Sequence, residues 1–308
     1  MDHLPVMYIE ALQQLAIKKD GIYLDCTFGR GGHSQGILAL LGPYGQLIAF
    51  DRDRDAINSE LAQRFVKDNR FKLIHSCFSQ LEVQLESLGL IGKIDGILMD
   101  LGVSSPQLDN PVRGFSFLRE GPLDMRMDET TGLSAEQWLA NVDEKDLVKV
   151  LFDYGEEKFA RRIAKAIVDR RLDNPITTTK QLSSLIEDVV PVREKNKHPA
   201  TRTFQALRIE INKELEELKQ VLEQSTRVLS PDGRLVAISF HSLEDRIVKR
   251  FIRDESGAKY DPGKFPVKEV DITKGVLRKV GKALKAGELE LKQNPRARSA
   301  VMRVAEKV

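Results

Sequence analysis

The chain reads as an α/β protein: a parallel sheet interrupted by a run of helices and completed by later strands. Three observations carry this. Four short apolar runs in the first hundred residues are separated by helix-length stretches, the order that builds βαβ units. From residue 110 to about 200 no strand-like run occurs. Residues 233–240 and 299–304 then supply a fifth and a last strand. Two sequential domains would leave the fifth strand without neighbours. One discontinuous sheet domain, 1–109 with 205–308, and one inserted all-helical domain, 110–204, are therefore expected.

The elements follow in order. Residues 21–25 (GIYLD) form a first buried strand that runs into a glycine-rich turn. Residues 46–51 (QLIAFD) form a second strand ending in an acid, 71–78 (FKLIHSCF) a third, and 95–100 (DGILMD) a fourth, again ending in an acid. Helices are expected over 54–67 and 81–88. In the insertion, Ser134 followed by Gln137 is a capping-box pattern that starts a helix. Residues 158–171 place Phe159, Ile163 and Ile167 on one stripe and basic residues opposite. Residues 179–189 make another short helix. Ile211, Leu215, Leu218, Leu222 and Leu229 mark one face of a long helix, and residues 230–233 (SPDG) a turn.

Composition narrows the class. With 308 residues, 41% hydrophobic and 31% charged, the chain can bury a sizeable core. No apolar run approaches the ~18 residues of a membrane span, and the first fifteen residues show no basic stretch followed by an apolar one, so a cytoplasmic protein is expected. Cys26 and Cys77 cannot build a disulfide framework and lack zinc-ligand spacing; no metal is expected. The net charge is +2, but residues 244–308 hold 17 Lys and Arg against 10 Asp and Glu. That basic C-terminal fifth points to a polyanionic partner.

The chemistry concentrates in residues 25–34 (DCTFGRGGHS), between the first strand and the first helix. Glycines let the chain turn sharply and let a ligand approach the main chain, while a helix N-terminus offers free N–H groups to an anion. Asp51 lies 20 residues past Gly31, at a strand end where a carboxylate accepts from ribose hydroxyls. Together these point to an adenosine-type cofactor. The glycine pattern ends in Ser34, and the sheet ends in a strand hairpin rather than a second mononucleotide half; both favour S-adenosylmethionine over NAD. Residues 100–107 (DLGVSSPQ) face the same crevice.

These runs, with residues 3–6 (HLPV), 113–117 (RGFSF), 121–128 (GPLDMRMD), 241–246 (HSLEDR) and 294–299 (NPRARS), span nearly the whole chain. In this order the chain resembles the RsmH (MraW) family, bacterial methyltransferases of small-subunit ribosomal RNA. The resemblance implies a class I, Rossmann-like methyltransferase sheet with an inserted helical domain for substrate recognition. It implies transfer of a methyl group from S-adenosylmethionine to N4 of a decoding-region cytosine in 16S rRNA, within the small ribosomal subunit. Matched by position, the cofactor contacts fall on Gly31, Gly32, His33, Asp51, Phe78, Asp100 and Gln107. The acceptor for the amine proton stays open among Asp100, Ser104, Ser105 and neighbouring carbonyls. Arg113, Phe115 and Phe117 are candidates for the entrance of the base. Arg113, Arg161, Arg162, Lys165, Arg246, Arg296 and Arg298 are candidates for RNA contact, with Arg170, Arg171, Lys249 and Arg250 beside them. The competing reading is a non-catalytic ribosome-assembly factor that retains a cofactor pocket; the intact glycine loop and Asp51 argue against it.

Overall fold

The computed structural model describes residues 5–192, 198–257 and 275–308; His3 and Leu4 of the N-terminal motif lie outside the described residues. Two compact units are present, Met1–Gly102 with Leu215–Val308, and Val103–Glu214.

The first unit is built on a seven-stranded sheet: β1 (Ile22–Asp25), β2 (Gln46–Asp51), β3 (Phe71–His75), β4 (Ile94–Asp100), β5 (Leu229–Ser239), β6 (Leu277–Lys285) and β7 (Val301–Lys307). The order is β3-β2-β1-β4-β5-β7-β6. Strands β1 to β5 run parallel, and β7 is antiparallel to both β5 and β6. This is the parallel α/β sheet that the strand spacing predicts, with the class I, Rossmann-like architecture that the family resemblance implies. Along the helices come α1 (Tyr8–Leu15), α2 (Gly32–Leu40), α3 (Arg54–Ile57), α4 (Glu60–Phe65) and α5 (Leu81–Ser87). The insertion contributes α6 (Ser105–Asp109), α7 (Ala135–Asn141), α8 (Glu144–Gly155), α9 (Ala160–Asp173), α10 (Thr179–Val189) and α11 (Thr201–Asn212). The chain then returns through α12 (Glu214–Val228), α13 (Ser242–Glu255) and α14 (Glu288–Gln293).

Side-chain alternation splits the sheet's core in two. Leu24, Phe50, Ile97 and Leu235 pack with Leu218, Leu222, Val248 and Ile252 on one face. Tyr23, Leu47, Leu98 and Ile238 pack with Ala11, Leu15 and Ile37 on the other. Because both faces are covered, the central strands read as continuous apolar runs rather than as alternating ones. The second unit has its own core, including Leu123, Leu147, Leu151, Ile163, Ile167, Leu182, Ile186 and Leu207. Among its described residues the only strand-type pairing is the isolated bridge between Pro122 and Thr178.

Several boundaries differ from the sequence reading. The helix expected over 54–67 is two short helices, because Ser59 takes an extended backbone and caps α4 through the Ala62 N–H. The long helix expected through 211–229 breaks at Lys213, which adopts φ 53°. The buried Asn212 carboxamide pins the chain there, accepting from the Met127 N–H and donating to the Met125 carbonyl. Residues 230–233 lie within β5, where the β4 pairing shifts register and Asp232 sits at φ 61°. The third strand stops at His75, and Phe78 opens a short 3₁₀ turn, Phe78–Gln80. Strand β6, with three buried or half-buried apolar positions in nine, carries too weak a signal to be read from sequence.

Candidate active site at the carboxyl edge of the sheet

Strands β1, β2 and β4 all end in aspartate at one edge of the sheet. In the parallel register Asp25, Asp51 and Asp100 project from the same face as Tyr23, Ala49 and Leu98, so three carboxylates gather where the strands stop. Each is held by the turn beside it.

Asp25 is buried. Its carboxylate accepts from the Ser34 hydroxyl at 2.6 Å and from the Thr27 N–H at 3.1 Å. The Thr27 hydroxyl in turn accepts the Asp100 N–H at 2.8 Å, which ties the glycine turn to the end of β4. Asp51 accepts from the Gly29 N–H at 2.7 Å through one oxygen and from the Asp53 N–H at 2.8 Å through the other. Burial pushes its carboxyl up to about 6, against the pull of those two N–H groups.

The turn needs its glycines. Gly31 takes φ 70° as the N-terminal cap of α2, and a Cβ there would meet the Phe65 and Phe28 rings at 2.6 and 2.9 Å. A Cβ on Gly32 would meet Pro5 at 2.4 Å, so Pro5 of the N-terminal motif seats directly on the turn. No side chain caps α2, which leaves its first N–H groups to water or a ligand.

His33 and Asp100 face each other across this turn. His33 is 5% exposed and stacks against Tyr8 with ring centroids 6.1 Å apart. Burial lowers its pKa to about 4, a backbone hydrogen bond with Val6 opposing, so the ring is neutral. Its Nδ1 stands 3.6 Å from an Asp100 carboxylate oxygen, beyond hydrogen-bond length. Asp100 is held well above the usual carboxylate range, first by burial and then by the charges of Asp25, Glu244 and Glu290. His33 Nε2 and Asp100 Oδ1 are buried and have no hydrogen-bond partner among the described residues. Orphaned groups of this kind are costly unless something satisfies them. An adenosyl cofactor, rich in amine and hydroxyl groups, fits a site that offers an open carboxylate oxygen, an imidazole nitrogen and a row of helix N–H groups.

The end of β5 adds residues that the sequence reading had not assigned. Ser239 is buried, and its hydroxyl has no hydrogen-bond partner among the described residues. The Glu244 carboxylate accepts from the Phe240 N–H at 2.8 Å and the His241 N–H at 3.3 Å, closing the start of α13. Arg303 of β7 grips Asp245 with two hydrogen bonds at 2.6 and 3.0 Å. The signal that could have found Asp25 is its position at a strand end, the same feature that singled out Asp51 and Asp100.

The remaining candidates are placed as follows. Phe78 packs half-buried against the core that holds Leu24, Phe50 and Ile97. Gln107, buried in the second unit, shares a capping box with Ser104: its carboxamide accepts the Ser104 N–H, and the Ser104 hydroxyl accepts the Gln107 N–H. Ser105 opens α6. Arg113 is 4% exposed; its guanidinium donates to the carbonyls of Arg126 and Met127 and lies 3.0 Å from Glu129, an internal clamp of the second unit. Phe115 is in that unit's core, and Phe117 stacks on His198 at 4.4 Å. Arg161 and Arg162 are exposed on α9, and Lys165 pairs with Asp169. Arg171 instead donates to the Leu139 and Val142 carbonyls at the end of α7. Arg246 and Arg298 are exposed and Arg296 half-buried. No helix among the described residues is long and apolar enough to cross a membrane.

A sequence model of the MraW methylase family matches residues 1–308. Among curated relatives, Ribosomal RNA small subunit methyltransferase H of Alteromonas mediterranea is 56% identical over 307 residues, covering 99% of this chain and 97% of that protein. The protein of the same name from Chromobacterium violaceum is 54% identical over 306 residues, covering 99% and 95%. Among solved structures, a putative rRNA-methylase from Clostridium thermocellum aligns over 99% of this chain and 100% of its own, with a TM-score of 0.45 and 10% identity.

Proposed function

The chain belongs to the MraW methylase family, and from that premise we propose that it methylates 16S rRNA of the small ribosomal subunit, at N4 of a decoding-region cytosine, with S-adenosylmethionine as donor. The observation that carries the reading furthest is the pair of buried atoms without a partner among the described residues, Asp100 Oδ1 and His33 Nε2, beside a helix start that no side chain caps.

The cofactor supplies an electrophilic methyl group. The chain's residues supply binding and order. The N–H groups at the start of α2, at Gly32 and His33, would receive the carboxylate end, with Gly31 shaping the turn while its own N–H is held by the Phe28 carbonyl. Asp51 takes ribose hydroxyls on the lone pairs left by Gly29 and Asp53. Phe78 would pack on the adenine ring. Such a reaction asks the protein mainly for alignment. The exocyclic amine must also shed one proton as it gains carbon, because nitrogen would otherwise be left cationic; its lone pair is conjugated with the ring, so an acceptor for that proton makes it a better nucleophile. Of Asp100, Ser104 and Ser105, Asp100 is assigned as acceptor: the Ser104 hydroxyl already closes a capping box, whereas Asp100 keeps an oxygen without a donor among the described residues. The base must leave any stack it occupies, at a cost of a few kcal/mol. The inserted unit, with Arg161 and Arg162 exposed on α9, is assigned to hold the RNA, as is Arg298.

The test incubates the protein with labelled S-adenosylmethionine and small subunits from cells lacking the enzyme, then digests the RNA to nucleosides. Label in N4-methylcytidine is the expected result. Label in another nucleoside would overturn the target. Tight cofactor binding with no label in RNA would favour the assembly-factor reading.

A further inference from the structure

Strand β6 is the outermost strand of the sheet, paired only with β7 among the described residues. It carries Arg278, Lys279, Lys282 and Lys285 and no acidic residue. Arg278 is joined to Glu306 of β7. Lys279, Lys282 and Lys285 are exposed, and their side chains form no ion pair or hydrogen bond among the described residues. Register places two of them. Lys279 stands opposite Ala305 and Lys285 opposite Val301, so both share the sheet face from which Arg303 reaches Asp245 of α13. Lys282 lies in the bulge between Val280 and Leu284, where Gly281 takes φ 62°. On α13, Lys249 is one turn past Asp245 and Arg250 is its neighbour; both are exposed. The surface turns acidic at Asp254 and Glu255, at the far end of α13.

This basic strip leads to the site. Val301 pairs with Ser239 on one side and with Lys285 on the other, and Ile238 pairs with Asp100. Lys285 is therefore at the same carboxyl edge as Asp100, three strand spacings away, or about 14 Å across the sheet, with the two side chains leaving opposite faces of that edge. Lysines on an edge strand also discourage edge-to-edge pairing of sheets. That task requires charge on β6 alone. It gives no reason for the cations to continue onto the adjoining helix or to end beside the reacting edge.

We infer that β6 and the exposed flank of α13 form a track for the phosphate backbone of the substrate RNA, with Lys279, Lys282 and Lys285 as phosphate contacts. This rests on the proposed rRNA substrate and adds where its backbone runs. Phosphate contacts of this kind fix register and orientation and carry no base preference.

The test measures binding of the full-length protein to 16S rRNA over a range of monovalent salt, as log Kd against log salt. Each lysine–phosphate contact contributes roughly 0.7 to 0.9 to that slope. K279Q/K282Q/K285Q is expected to lower the slope by about two and to weaken binding at least tenfold near physiological salt. S-adenosylmethionine affinity and thermal stability should not change. K279R/K282R/K285R should keep the wild-type slope. A control of equal charge change at exposed lysines elsewhere on this unit, K19Q/K67Q/K72Q, should leave the slope nearly intact. An unchanged slope in the β6 triple, or an equal loss in the control, would overturn the track. A β6 triple that self-associates while keeping its RNA slope would overturn it too and make the lysines guards of the open edge. Absence of any salt-dependent rRNA binding by the wild type would overturn the functional reading along with it.

Discussion

Asp51 shows how much one carboxylate is asked to do. It holds the glycine turn through Gly29 and is also the residue proposed to meet a ribose. Its folded pKa of about 6 stands above the unfolded value of about 3.9. The folded state therefore binds the proton more tightly, and the stabilisation this brings is fully present below about pH 4 and is lost as pH rises through 6. Between pH 5 and 7 the ligand-free protein should lose stability on the order of 1 kcal/mol that Asp51→Asn does not lose, read from urea unfolding at the two values. Cofactor affinity should run the opposite way. Ribose hydroxyls favour the ionised form, so wild-type affinity should rise about tenfold over the same interval, while Asp51→Asn binds weakly and evenly. Equal pH profiles for the two proteins would remove Asp51 from the cofactor site.

At the scale of an element, the start of α13 depends on one side chain. Glu244 is 2% exposed and answers the N–H groups of Phe240 and His241. Glu244→Ala leaves both without an acceptor in a buried turn and should cost about 2 kcal/mol, at about 1–3 kcal/mol for an unmet donor. Glu244→Gln keeps an acceptor oxygen and should cost less than half as much. Chemical denaturation of the two variants decides it; equal losses would mean that the charge, not the hydrogen bonds, holds the turn. The motif around residues 241–246 is thus in part a helix-start device: its Glu caps, and its Asp245 is fastened to Arg303.

At the scale of the molecule, the sheet is closed by strands from opposite ends of the chain. β4 ends at Asp100 and its neighbour β5 begins at Leu229, with the whole second unit between them. A fragment ending at Glu214 would leave β4 as an open edge and strip Leu218, Leu222, Leu235 and Val248 from the core they share with Leu24 and Ile97. It should show no cooperative unfolding of the sheet unit by near-ultraviolet circular dichroism, and it should self-associate through the open edge. A fragment that melts like the intact sheet unit would show that the first four strands suffice. The long separation between β4 and β5 should also make refolding of the full chain slow, since loop closure precedes the contacts that reward it.

The same separation marks what was legible beforehand. Period and punctuation, which are local, exposed the strands ending in Asp25, Asp51 and Asp100, the glycine turn, the helices of the insertion and the discontinuity of the sheet. With them came the family resemblance, carried by residues spread over the chain. Burial and hydrogen-bond partnership are properties of neighbours distant in sequence, and only the folded chain assigns them. Arg113 and Arg161 look alike as basic residues, yet one is clamped inside a unit by Arg126 and Met127 while the other is exposed. Asp25 becomes a support for the turn because Ser34 and Thr27 converge on it. Strand β6 has almost no apolar pattern of its own, because an edge strand needs only β7 and one covered face to form. Its Lys285 gains its meaning from lying across Val301 from Ser239, a relation that register creates and composition does not contain.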